Sequence, residues 1–403
     1  MFTRFGNSGA LNFRERHPVT AHNENSRHIP ALDGLRGLAI LLVLFYHFTV
    51  IKPLGPSEEL FKRLSELGTY GVDLFFVLSG FLVTGILLRT KDRPRFFKNF
   101  YMRRVLRIFP LFYLVVLAAF VLIPQLLSLL PKDQQIRVPL HGDTRDWAWY
   151  LFFASNFLVA LRGKFSNDIL DVSWSLAIEE QFYLIWPWII ATLSRNALKK
   201  ILLGVIAGTL FLRGLLWFSG ATTLQIYVLT FTRMDSIAFG ALLALDWQED
   251  SQGITDSGKN KRPVFLLGIS VVTFFLAFKG GYFAVQGAPM NTFMYTLVAF
   301  FFMQLLAWVL RAPENSAVQF LFSNRLMRLM GKYSYAIYLF HVPVRSFMRD
   351  VFFGDMQFRH WAGNPYWGQT VFYAAALTVC VILAHLSWNL YEKKFLALKR
   401  HFE

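Results

Sequence analysis

ALDGLRGLAILLVLFYHF, residues 31–48, reads as a membrane span that carries Asp33, Arg36 and His47. An apolar run of this length that does not alternate spans lipid as a helix. Arg36 and His47 are then eleven positions apart, which at 100° per residue brings them to within about 20° of one face, about 16 Å apart along the axis. One helix thus supplies two depths of a single polar path.

Working outward, the same texture covers nearly the whole chain. Its 403 residues are 55% hydrophobic, include 43 Phe, and are only 16% charged. Runs such as LLVLF and VVLAAFVLI do not alternate, which excludes a transmembrane barrel. The expected class is all-α, a polytopic membrane bundle of ten helices near 31–51, 70–89, 109–130, 174–194, 200–218, 227–246, 263–279, 289–310, 331–350 and 369–391. The net charge of +16 comes from basic residues between apolar runs. That pattern fits cytoplasmic flanks of membrane spans, so the expected partner is the lipid bilayer and not nucleic acid. The single cysteine, Cys380, lies in an apolar run and excludes an intrachain disulfide. The first 30 residues are polar and lack a cleavage pattern, so 31–51 is expected to act as an uncleaved signal anchor.

Orientation turns on the apolar stretch 147–161, WAWYLFFASNFLVAL, which is short for a crossing. If it does not cross and the N-terminus is inside, 26 basic residues fall on the inside and ten outside. A crossing would move the inside groups that follow it outward. The expectation is therefore ten spans with both termini cytoplasmic. It divides the chain into a tail at 1–30, a membrane domain at 31–395 and a tail at 396–403. Residues 131–173 form an external segment, in which 147–161 lies on the membrane or re-enters it.

This topology gives each polar residue a depth. Arg36 falls in the inner part and His47 in the outer part. The span opening WSLAIEEQFYLIWPW runs inward and puts Glu179 and Glu180 in the outer part, where a carboxylate could pair with an imidazole for acid/base work. His341, Arg345 and Arg349 share one face of span 331–350, which Pro343 is expected to kink. Arg213, Arg233 and Asp235 fall in the outer half. Ionisable groups at such depths usually line a cavity or reaction site. Glu180, Tyr183, Arg233, Asp235, His341 and Arg345 are the candidate substrate contacts. Quieter readings stand beside these: Asp235 neutralises Arg233, Glu180 faces the interface, and His341 packs at the kink. The run RFFKNFYMRRVLRIFP is a positive-inside anchor, and its Arg103, Arg104 and Arg107 are also suited to phosphate. No cluster has metal-ligand spacing, so no metal is expected.

These segments carry a resemblance. RGLAILLVLFYH, GVDLFFVLSGFL, FYMRRVLRIFPLFY, WSLAIEEQFYLIWP, RMDSIAFGALLA, YSYAIYLFHVP and YEKKF occur here in the order shown by the acyltransferase-3 family of membrane O-acyltransferases, which the chain resembles from residue 31 to about 395. The resemblance implies a bacterial inner-membrane enzyme and an acyl-CoA donor, commonly acetyl-CoA. It implies an acceptor hydroxyl on an exported glycan or lipid-linked sugar. It also implies essential roles for Arg36 and His47, and points to Glu179 and the basic segment with Arg103, Arg104 and Arg107. Many relatives carry a further extracytoplasmic SGNH-type domain, whereas this sequence stops shortly after its last apolar run. The expected chemistry is donor entry from the basic side, the uncharged arm passing Arg36 toward His47. His47 would act as general base with Glu179 orienting it, or as a transient acyl carrier. A secondary transporter is the alternative class, but no pair of Gly/Pro-broken spans recurs in matching halves.

Overall fold

The computed structural model describes residues 29–129, 144–251, 266–271, 290–353 and 364–402, and these are mostly helical with no extended strand among them. Pro30 opens α1 (Pro30–Phe48), where its missing N–H leaves no bond unmade, and Asp33 in the first turn suits the helix dipole. A short amphipathic helix, α2 (Pro56–Glu66), leads into α3 (Gly71–Thr90) and then α4 (Phe96–Leu117). α4 runs on through a π-helical turn at Ala118–Leu122, which takes up the Phe120 carbonyl facing the ring of Pro124. The remaining long helices are α5 (Ser173–Thr192), α6 (Arg195–Phe218), α7 (Met234–Ser251), α8 (Met290–Arg311), α9 (Arg325–Phe347) and α10 (Pro365–Ser387).

Six helical runs are long and apolar enough to cross a membrane by length and composition. α5, α7 and α9, at 20, 18 and 23 residues, match that length but carry more polar side chains. Nine of the ten expected spans thus coincide with a long helix; the tenth, 263–279, lies outside the described residues except for 266–271. The expected N-terminal tail also lies outside them, apart from Ile29 and Pro30. Within 147–161 the structure has two short helices, Trp147–Leu151 and Ser155–Arg162, with Phe153 between them at φ 50. At 1.5 Å per residue neither approaches the roughly 30 Å of a bilayer core. The second packs on α5 through buried Leu158 and Val159.

Close helix contacts fix the bundle. A Cβ at Gly331 of α9 would fall 1.8 Å from the Asp33 carbonyl of α1, and one at Gly240 of α7 would fall 1.9 Å from the Val77 carbonyl of α3. Glycine therefore lets each pair approach backbone to backbone, the packing that membrane helices use in place of a hydrophobic drive. α1 and α9 run parallel: Asp33 meets Gly331 at one end and His47 meets His341 at the other. α6 turns Leu203, Phe211, Leu215 and Phe218 outward and Arg213 inward. This is the architecture of an integral membrane protein, with an apolar belt outside and polar groups within.

Candidate functional site

A cavity of about 120 Å³ opens between α1, α3, α4, α5 and α9. Arg36, Arg104 and Arg107 wall one end; Ser79, Glu179 and Tyr183 line its middle, and Phe75, Ser175 and Tyr338 close the other. Arg36 is bound to Asp33 of its own first turn at 3.1 Å. Arg103, Arg104 and Arg107 form no ion pair among the described residues. Arg104 lies over the Tyr183 ring at 5.1 Å, and Arg107 is open to the cavity. The cavity thus has a strongly cationic end.

The opposite end is built on one stripe of α9. Ser334, Tyr338, His341 and Arg345 follow at spacings that keep one helical face. Ser334 and Tyr338 line the cavity, and His341 stands one turn beyond. The Tyr338 hydroxyl donates to the Val172 carbonyl at 3.0 Å and lies 2.6 Å from Ser175 Oγ, which makes that ring the partition. Beyond it, the rings of His47 and His341 meet edge to face with centroids 4.7 Å apart. Nδ1 of His47 donates to the Val43 carbonyl at 3.0 Å, and Nδ1 of His341 to the Tyr338 carbonyl at 2.7 Å. A carbonyl only accepts, so both neutral rings carry the proton on Nδ1 and present a bare Nε2. Nε2 of His341 is buried without a partner among the described residues, as is Nε of Arg345, whose charge acts on both imidazoles.

The expected His47–Glu179 pairing is replaced by this imidazole pair. Glu179 instead accepts a hydrogen bond from Tyr183 at 2.8 Å and lies in the field of Arg104, Arg36 and Arg107. The reason is depth: His47 is one residue from the end of α1, whereas Glu179 is six residues, about 9 Å, inside α5. Glu180 keeps Oε1 buried and without a partner among the described residues, off the cavity wall.

Arg233 and Asp235 do not pair with one another either. Arg233 bonds Asp73 of α3 at 2.7 Å and Asp235 bonds Arg213 of α6 at 2.7 Å, all four fully buried. Thr296 of α8 adds hydrogen bonds to Arg213 and Asp235, and Arg233 lies 4.0 Å over the Tyr295 ring. This closed layer stands beside the cavity and does not line it. Among the residues that sequence reasoning passed over, Asp73 had a visible signal, an acid inside GVDLFFVLSGFL. Ser79, Ser175 and Tyr338 had none, because polar but uncharged residues are common in spans.

The acyltransferase domain family matches residues 29–385. The chain is 31% identical over 393 residues to the putative peptidoglycan O-acetyltransferase YrhL of Bacillus subtilis (strain 168), covering 92% of this chain and 55% of that protein. It is 30% identical over 335 residues to the peptidoglycan O-acetyltransferase OatA of Listeria monocytogenes serovar 1/2a, covering 79% and 49% respectively. A putative O-acetyltransferase of Staphylococcus aureus (strain COL) is 28% identical over 386 residues, with 92% and 57% covered. The chain spans about half the length of these curated relatives. No solved structure matches it. With both the motif order and the domain match running over most of its length, the chain belongs to the acyltransferase-3 family.

Proposed function

We propose that this protein transfers an acyl group, as acetyl, from acyl-CoA at its cationic end to a hydroxyl of an exported glycan at its histidine end. The membrane is the bacterial inner membrane, with both termini and the cationic end cytoplasmic. The observation that carries the proposal is the cavity, which begins among Arg36, Arg104 and Arg107 and ends at Tyr338, one turn short of His341 and His47. Arginine fits phosphate, and Arg104 and Arg107, without an ion pair among the described residues, leave positive charge for an anionic nucleotide. The phosphates then stay outside the lipid, where their burial would be costly, and only the uncharged pantetheine arm enters. The names of YrhL and OatA favour peptidoglycan as the acceptor.

In this reading Nε2 of His47 removes the proton of the acceptor hydroxyl as its oxygen attacks the thioester carbonyl. The C–O bond forms, the C–S bond breaks, and the thiolate takes the proton back from His47. Arg345 supplies charge to the transient oxyanion. Tyr338 must swing off Ser175 for the thioester to reach the imidazoles. The test is mass spectrometry of surface glycans from cells with and without the protein. Loss of one acetyl mass from a glycan on deletion, restored by the wild type and not by His47→Ala, is the expected result. An unchanged glycan profile refutes it.

A further inference from the structure

The last helical run, Pro365–Phe402, has 38 residues and extends about 57 Å, well past a bilayer core. Its final turns, Lys393–Ala397 and Leu398–Phe402, continue beyond the span and pack along the first half of α4. The Tyr391 hydroxyl donates to the Pro110 carbonyl of α4 at 3.3 Å. That packing brings Lys399, half-buried, into the combined field of Arg107, Arg104, Arg103 and Arg36. Among the described residues few acids answer these five cations. Asp33 is bound to Arg36, Glu392 accepts from Ser387 at 2.8 Å, and Glu179 sits deeper in the cavity, bonded to Tyr183. Arg400 and His401 follow on the tail and add none.

Five cations drawn together with so little counter-charge describe a site for a polyanion. We infer that Lys399 is a ligand of the phosphates at the nucleotide end of the donor, so that the C-terminal tail completes the donor site. This rests on the acyl-CoA reading above. Lysine offers a compact charge with three donors, complementing the planar forks of the arginines around a diphosphate and a monophosphate. The same crowding leaves a measurable trace. Burial, then Arg107, Arg104, Arg103 and Arg36, hold the Lys399 amine down to about 7. An arriving polyanion reverses that repulsion and returns the proton. Above neutral pH, donor binding therefore takes up protons.

The experiment is titration calorimetry at pH 8 with CoA or pantetheine as probe, in two buffers of different ionisation enthalpy. Wild type, Lys399→Met and Lys399→Arg are compared in nanodiscs of neutral lipid and in nanodiscs containing phosphatidylglycerol. Wild type is expected to take up a proton fraction with CoA in both lipids. Lys399→Met should lose the uptake and bind CoA about tenfold more weakly, about 1.4 kcal/mol, while binding pantetheine unchanged. Lys399→Arg, always charged, should keep the affinity without the uptake. CoA binding with equal uptake in all three proteins overturns the assignment alone. Uptake provoked by the anionic lipid and not by CoA assigns the site to headgroups and overturns it too. Failure of wild type to bind CoA removes the acyl-CoA reading and this inference together.

Discussion

Asp73→Leu isolates the buried ion layer beside the cavity. It leaves Arg233, fully buried, without its carboxylate at 2.7 Å, while Nε and Nη1 of the same guanidinium already have no hydrogen-bond partner among the described residues. Removing one member of a buried pair costs about 3–5 kcal/mol. The Tyr295 face at 4.0 Å and the Tyr227 face at 5.2 Å still hold the cation, which favours the lower figure. A loss of about 3 kcal/mol is a large share of the roughly 5–15 kcal/mol of a folded domain. Arg233→Met should cost a comparable amount, since Asp73 keeps the Ser236 hydroxyl at 2.8 Å but loses its counter-charge. The double variant Asp73→Leu/Arg233→Met replaces both charges with apolar groups and should fall within about 1 kcal/mol of wild type. Equilibrium unfolding in mixed detergent micelles, run as a double-mutant cycle, measures the coupling. Single losses that simply add in the double variant would show that Asp73 and Arg233 are not coupled.

Three further outcomes are expected. Gly240→Leu must push α7 off α3, because even a Cβ would sit 1.9 Å from the Val77 carbonyl; the yield of monodisperse protein should collapse, whereas Gly204→Leu, with open space around it, should be tolerated. His341→Phe keeps a ring beside His47 but removes the buried Nε2, and kcat for acetyl transfer should drop by roughly 10²-fold or more with KM for acetyl-CoA little changed. Asp171, outside the spans, accepts from the Ser166 and Asn167 amides at 3.1 and 2.9 Å, yet burial pushes its carboxyl up to about 6. A raised acid binds its proton more tightly when folded, so its contribution is greatest below pH 4 and is lost as pH rises to about 6. Protection factors of the 166–173 amides, which remove the intrinsic pH dependence of hydrogen exchange, should fall over that window in wild type and not in Asp171→Asn.

The membrane bundle was legible because hydrocarbon demands long apolar helices, and those runs are plain in sequence. The Arg36–His47 face was legible as well, since both residues sit on one helix and helical geometry fixes their separation. The partners across helices were not. Assigning Glu179 to the outer part of its span put it level with His47, but the few residues between the start of α5 and Glu179 set it deeper, among the arginines. Arg233 and Asp235, near neighbours in sequence, point from adjacent turns to different helices and so find Asp73 and Arg213. Lys399 gave no signal beyond a basic tail, because only the packing of the last helical turns along α4 sets it beside Arg107.

The proposed function requires acyl groups to pass from one membrane face to the other through this cavity. Sealed proteoliposomes oriented with the cationic end outward, given labelled acetyl-CoA outside and a glycan acceptor within, examine that passage. Label bound covalently to the enclosed glycan with wild type, and absent with His47→Ala, is the expected result. Label that enters the lumen as a free solute, or reaches only acceptors placed on the donor side, would contradict it.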